Sequence, residues 1–156
     1  VLQHAIKFLE NDGYVIEAVV LLQPTSPFRK PETIKKCVDL YKNEPNADSV
    51  LTVNNVEGHR PEWMMSLDNN NKISPYASPF IHNGKSIIRL SARQSFPNLY
   101  KMNGSVWVTS RDLLMNHCLV VGPNAFSVVT EDIEAVDIDT PIDFIISDAL
   151  MKNIIH

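Results

Sequence analysis

Two aspartates one residue apart, Asp137 and Asp139, open the case for chemistry, in the run Asp137-Ile138-Asp139-Thr140-Pro141-Ile142-Asp143. The segment from Ile133 to Asp139 alternates apolar and polar residues like a strand, and in a strand positions i and i+2 point to the same side. Two carboxylates then project together, which is costly unless something neutralises them. A hard divalent cation does so, and Mg2+ takes one or two carboxylates together with substrate phosphate oxygens. The plainer reading is that one aspartate caps the next helix while the other is solvated. The spacing alone leaves both open.

Gln23-Pro24-Thr25-Ser26-Pro27-Phe28-Arg29 follows a continuous apolar run. In open parallel sheets ligands bind outside the carboxyl ends of strands. There Gln23 offers a donor and an acceptor, Thr25 and Ser26 offer hydroxyls, and Arg29 offers a fork for an anion. An ordinary proline-rich turn is the competing reading. A third stretch, from Arg93 through Tyr100 to Asn103-Gly104-Ser105-Val106-Trp107, mixes a guanidinium, aromatics and an amide. Asn103-Gly104 is also a simple turn signal. The five histidines show no metal-ligand spacing, and no phosphate-binding glycine loop or nucleophile elbow is present.

The elements that must position these residues read as an α/β chain. An amphipathic helix with Leu2, Ala5, Ile6 and Leu9 on one face stops at Asn11-Asp12-Gly13. Val15 to Leu22 includes the apolar run Ala18 to Leu22, which reads as a strand covered on both faces, as in a parallel sheet. Pro31 starts a helix that runs to Asn43 with Ile34, Cys37, Val38 and Tyr41 as its buried stripe. Ser49 to Val53 is the next strand. Residues 54–102 are polar and irregular and read as an arm within a single domain, 1–156. Regular structure resumes with a strand at Ser105 to Val108 and a helix near Ser110 to Asn116. Thr140, Pro141 and Asp143 match a capping box, opening a last helix with Phe144, Ile145, Ala149 and Leu150 inward.

Composition narrows the classes. The 156 residues are 44% hydrophobic and 21% charged, ordinary values for a folded domain. A net charge of −4 supplies no basic stripe, so nucleic acid is an unsuitable partner. No apolar run reaches the roughly 20 residues of a membrane span. Cys37 and Cys118 form no CxxC and read as two thiols in a reducing cytoplasm.

Taken together, three motifs in order resemble the acylneuraminate cytidylyltransferases: Leu21 through Arg29, then Arg93-Gln94 with Pro97, Tyr100 and Asn103 through Trp107, then Asp137 through Asp143. The resemblance covers nearly the whole chain. It implies a Rossmann-like, mostly parallel sheet flanked by helices, with 54–102 as a dimerisation and substrate arm. It implies transfer of CMP from CTP to an acidic nine-carbon, sialic-acid-like sugar, releasing pyrophosphate, by a cytoplasmic homodimer. Asp137 and Asp139 match the family's Mg2+ carboxylates and Gln23 a sugar-contacting glutamine. Asn103 and Trp107 fall where the acyl sugar is recognised, with Tyr100 beside them. Arg93 matches an arginine donated across the dimer, a cationic partner for the sugar acid's carboxylate.

Two departures qualify this. The family's glycine-bearing loop with Arg and Lys after a first strand has no counterpart here, and the chain opens partway through a helix. An upstream nucleotide-gripping unit is therefore expected to be missing, and these residues alone are not expected to turn over CTP. Trp63, in His59-Arg60-Pro61-Glu62-Trp63, stands near where neuraminate-using members place a lysine, which leaves the particular sugar open. Two other classes compete: a glycosyltransferase-like domain that uses a DxD to hold its metal, and a non-catalytic binding or dimerisation remnant.

Overall fold

Pro31 cannot donate a backbone hydrogen bond and sits at the first helical position, so α2 (Pro31–Asn43) begins where the sequence places it. In a computed structural model that describes residues 1–77, 80–87 and 97–154, the chain forms two units. One comprises Val1–Asn54 with Met102–His156, the other Asn55–Lys101.

The first unit holds a four-stranded sheet ordered β1 (Ala18–Leu21), β7 (Tyr100–Ser110), β2 (Ser49–Asn55), β8 (Ala125–Val129). Strand β1 runs antiparallel to β7, whereas β2 and β8 are parallel. The sheet is thus mixed, a correction to the mostly parallel arrangement expected. Strand β8 has no counterpart among the expected elements; it takes the edge beside β2, with Ser49 opposite Ala125. The core is Cys37, Val50, Val106 and Val108, against which Ile34, Val38 and Tyr41 of α2 pack. Burial raises the Cys37 thiol to a pKa of about 11.

Strand β1 is also corrected. It is not covered on both faces, since Val20 is 40% exposed, and among the described residues it lies at an edge of the sheet. Helix α1 (Leu2–Asn11) buries Ile6 but leaves Ala5 and Leu9 exposed. It ends as expected at Gly13, whose φ of 89° suits a residue without a Cβ. Helix α3 (Arg111–His117) is capped by the Ser110 hydroxyl, which accepts from the Leu113 N–H at 3.2 Å. Glu10 of α1 and Arg111 of α3 form an ion pair at 2.5 Å.

The largest correction concerns the acidic segment. Where alternation predicts a strand, a 3-10 turn covers Asp132–Ala135 and residues 136–139 are irregular. Backbone partners explain the difference: the Ile138 N–H bonds the Thr25 carbonyl at 2.9 Å, and the Glu134 side chain reaches α2. Helix α4 (Pro141–Ile154) opens with the expected capping box. The Asp143 carboxylate accepts from the Thr140 N–H at 2.8 Å, and the Thr140 hydroxyl accepts from the Asp143 N–H at 3.4 Å. Its expected inward face is wrong: Phe144 is 63% and Ile145 66% exposed, Ala149 is exposed too, and Ser147 is the buried residue.

The second unit contains two hairpins where the sequence reads as irregular. In β3 (Met65–Leu67) and β4 (Ile73–Pro75), the Asp68 carboxylate accepts from the Asn70 and Lys72 amides at 2.8 and 2.9 Å. Strands β5 (Ile81–His82) and β6 (Lys85–Ser86) join through Asn83-Gly84, both at positive φ, the Asn-Gly hairpin turn. Arg60, 5% exposed, donates to both Glu62 oxygens at 3.2 and 3.1 Å and to the Pro97 carbonyl at 3.0 Å.

Candidate functional site

The loop after β1 is tied down by its own arginine. Arg29 Nε donates to the Ser105 carbonyl at 2.7 Å, and its Nη2 donates to the Gln23 carbonyl. Two N–H groups of the fork are thereby committed to backbone, so Arg29 holds the loop against β7 and has less left for an anion. Burial lowers its pKa from the ordinary value. Ser26 is 5% exposed, and its Oγ has no hydrogen-bond partner among the described residues. Thr25 contributes its carbonyl to Ile138.

Gly104 is the point of convergence. Its φ is 74°, a left-handed conformation that disfavours a side chain. A Cβ built there would stand 2.3 Å from Gln23 Oε1 and 4.0 Å from Asp137 Oδ2. Glycine is what allows the glutamine amide to approach β7 so closely, and it brings Gln23 and Asp137 to the same point. The preceding Asn103 is 8% exposed and spends its amide internally. Its Oδ1 accepts from the Thr52 hydroxyl at 2.6 Å and the Ser105 N–H at 3.2 Å, and its Nδ2 donates to Thr130 Oγ1 at 2.8 Å. Trp107 stands opposite Leu21 in the sheet, with its Nε1 buried and without a partner among the described residues.

The two aspartates have different surroundings, because they are not on a strand. Asp137 is half-buried, and its Oδ1 is enclosed with no hydrogen-bond partner among the described residues. Asp139 is exposed and its N–H donates to the Asp143 carboxylate at 3.3 Å. Among the described residues no group of three or more His, Cys, Asp or Glu side chains gathers for a metal. Mg2+ shared with substrate phosphates needs only one or two carboxylates, and the bare buried oxygen of Asp137 fits that requirement.

Beside the acids, Pro27, Phe28, Ile138, Phe144, Ser147, Asp148 and Met151 bound a mainly apolar cleft of 190 Å3. Tyr100, 51% exposed, belongs to the other unit. Arg93 and Gln94 lie outside the described residues. Sequence reasoning missed Thr52 and Thr130, which bond the Asn103 amide, and Glu134, which bonds the start of α2. No local spacing marks them, since each acts on a segment far away in the chain.

A mixed sheet with helices, and an amide, a left-handed glycine and a half-buried carboxylate meeting beside β1 and β7, make up an α/β domain. Its fold is similar to that of a solved CMP:2-keto-3-deoxy-manno-octonic acid synthetase complexed with CTP. The TM-score is 0.58 and the identity 13%, over 97% of this chain and 68% of that one. In sequence the chain is 32% identical over 148 residues to the CMP-N,N'-diacetyllegionaminic acid synthase of Legionella pneumophila subsp. pneumophila, covering 94% of this chain and 58% of that protein. It is 36% identical over 140 residues to post-translational flagellin modification protein B of Campylobacter coli, covering 87% and 53% respectively. No protein-family model matches the chain. These sequence relatives support the likeness of its motifs to the acylneuraminate, CMP-nonulosonic acid type of cytidylyltransferase. The chain spans little more than half the length of these two sequence relatives.

Proposed function

We propose that the chain carries the sugar-acid and metal half of an enzyme that transfers CMP from CTP to a sialic-acid-like nonulosonic acid and releases pyrophosphate. The observation that carries this reading is the convergence of Gln23 and Asp137 on Gly104. The Gln23 amide, at the start of the loop after β1, hydrogen-bonds the sugar. Asp137 and Asp139 hold Mg2+, which when bound offsets charge on the phosphates. Arg93 pairs with the sugar acid's carboxylate, donated across a homodimer by the 54–102 arm. Thr25, Ser26 and Trp107 complete the sugar's surroundings. Asn103, its carbonyl fully committed, shapes the Gly104 turn. The sugar's anomeric hydroxyl attacks the α-phosphorus of CTP in line, and positioning supplies most of the acceleration. The cytoplasm, with its CTP and reduced thiols, is the compartment this chemistry suits.

Calorimetric titration tests the reading with N,N'-diacetyllegionaminic acid in the presence of Mg2+. Saturable binding is expected, weakened by about tenfold or more in Gln23→Ala and in Asp137→Asn, the scale of one lost charge-assisted contact. Absence of saturable binding, or wild-type affinity in both variants, would overturn it.

A further inference from the structure

Glu134 is 4% exposed, and nothing in the proposed chemistry uses it directly. Its Oε2 accepts from the Lys30 N–H at 3.2 Å and from the Thr33 hydroxyl at 2.6 Å. Lys30 is the N-cap residue of α2 and provides no side-chain cap of its own. In a capping box the third helical residue reaches back to the cap's N–H. Here that residue is Thr33, too short for the task, and Glu134 from a distant segment completes the box. A carboxylate at a helix N-terminus is also favoured by the helix dipole. The cap docks the 3-10 turn onto α2, which is itself fixed in the core through Cys37.

A second clamp lies four residues further on, where the Ile138 N–H bonds the Thr25 carbonyl at 2.9 Å. Asp137 lies between the two clamps, with its carboxylate aimed at Gly104. Residues 136–139 have no regular secondary structure to hold them, and these two attachments bracket that carboxylate, while the Lys30–Glu131 ion pair and the Asn54–Asp132 hydrogen bond hold the segment before it. We infer that Glu134 is a positioning residue of the site: by capping α2 it fixes Asp137 beside Gln23 and Gly104. The consequence for metal binding rests on the function proposed above; the consequence for the backbone does not.

Three variants of the whole chain test this: Glu134→Ala, Glu134→Gln and Thr33→Val. The readouts are amide hydrogen exchange and Mn2+ affinity by electron paramagnetic resonance. In Glu134→Ala, Ile138 is expected to lose about tenfold or more protection relative to the core amides of Val50 and Val106. Mn2+ affinity falls by about 10- to 100-fold, the range for loss of an outer support of a metal ligand. Glu134→Gln, whose amide oxygen can stand in for Oε2, restores most of both. Thr33→Val, which keeps the helix and removes one donor, moves both in the same direction by less, and it decides the matter if Glu134→Ala does not fold. Equal loss of protection at Ile138, Val50 and Val106 would reduce Glu134 to a general stabiliser and overturn the inference, as would unchanged protection at Ile138. If the wild-type chain binds no Mn2+, the metal reading of the function falls, while hydrogen exchange still decides the role of Glu134.

Discussion

Gly104 acts through the atom it lacks. At φ 74° an alanine pays the left-handed penalty, about 1–2 kcal/mol. Its Cβ would also stand 2.3 Å from Gln23 Oε1, so the amide must swing away. Gly104→Ala is therefore expected to lose about 1–2 kcal/mol in urea unfolding and to shift the Gln23 side-chain amide resonances. Unperturbed Gln23 resonances would mean that the close approach is not a feature of the site in solution. Asn103 belongs to the same account, since its amide joins β7 to Thr52 of β2 and to Thr130 just beyond β8. Glycine and asparagine thus divide the labour, one leaving room and the other fastening the strands around it.

At the scale of elements, helix starts are where side chains decide most. Ser110 ends β7 and caps α3, so the strand passes into the helix without an intervening loop. Ser110→Ala is expected to cost about 1 kcal/mol, the usual worth of such a cap, read from the shift in urea midpoint. A variant as stable as the wild type would show that the Leu113 N–H finds water instead. The capping box at Thr140 and Asp143 does the same for α4, and the Thr140 hydroxyl and N–H hold the Asp143 carboxyl below its ordinary pKa. Strand β1, in contrast, pairs with β7 alone among the described residues, and its Val20 stays partly in solvent.

Across the whole molecule, several acids share one direction of shift. Hydrogen bonds from Arg111, Arg60 and Lys30 lower Glu10, Glu62 and Glu131 respectively, as Thr140 lowers Asp143. A carboxyl whose folded pKa is depressed contributes stability that is present above its unfolded value and is lost as pH falls through the folded one. The urea midpoint is therefore expected to hold from neutrality to about pH 5 and to fall below about pH 4, the unfolded carboxylate range. Added salt should shrink the part due to exposed pairs such as Lys30–Glu131. A midpoint that rises on acidification would contradict the assignment. In the second unit the Arg60–Glu62 pair is well enclosed, with side chains 5% and 11% exposed, so salt should screen it less than the exposed pairs.

Much of this protein was decided locally and could be read from the chain. Pro31 fixes the start of α2, Thr140 and Asp143 start α4, and Gly13 ends α1, because each acts on backbone groups within one turn of itself. The Asn83-Gly84 turn carries an equally local signal, which the reading of 54–102 as irregular passed over. The three motifs carried the family resemblance for the same reason: they are contiguous. Tertiary structure alone decided the rest. The alternating Ile133 to Asp139 fits a strand, but β8 occupies the edge beside β2, and Thr25 and α2 draw the bonds of the acidic segment away. Periodicity reports which side chains are apolar, not which partners take the backbone hydrogen bonds. The meeting of Gln23, Gly104 and Asp137, and the capping of α2 by Glu134, join segments far apart in sequence, and only the folded chain brings such groups within bonding distance.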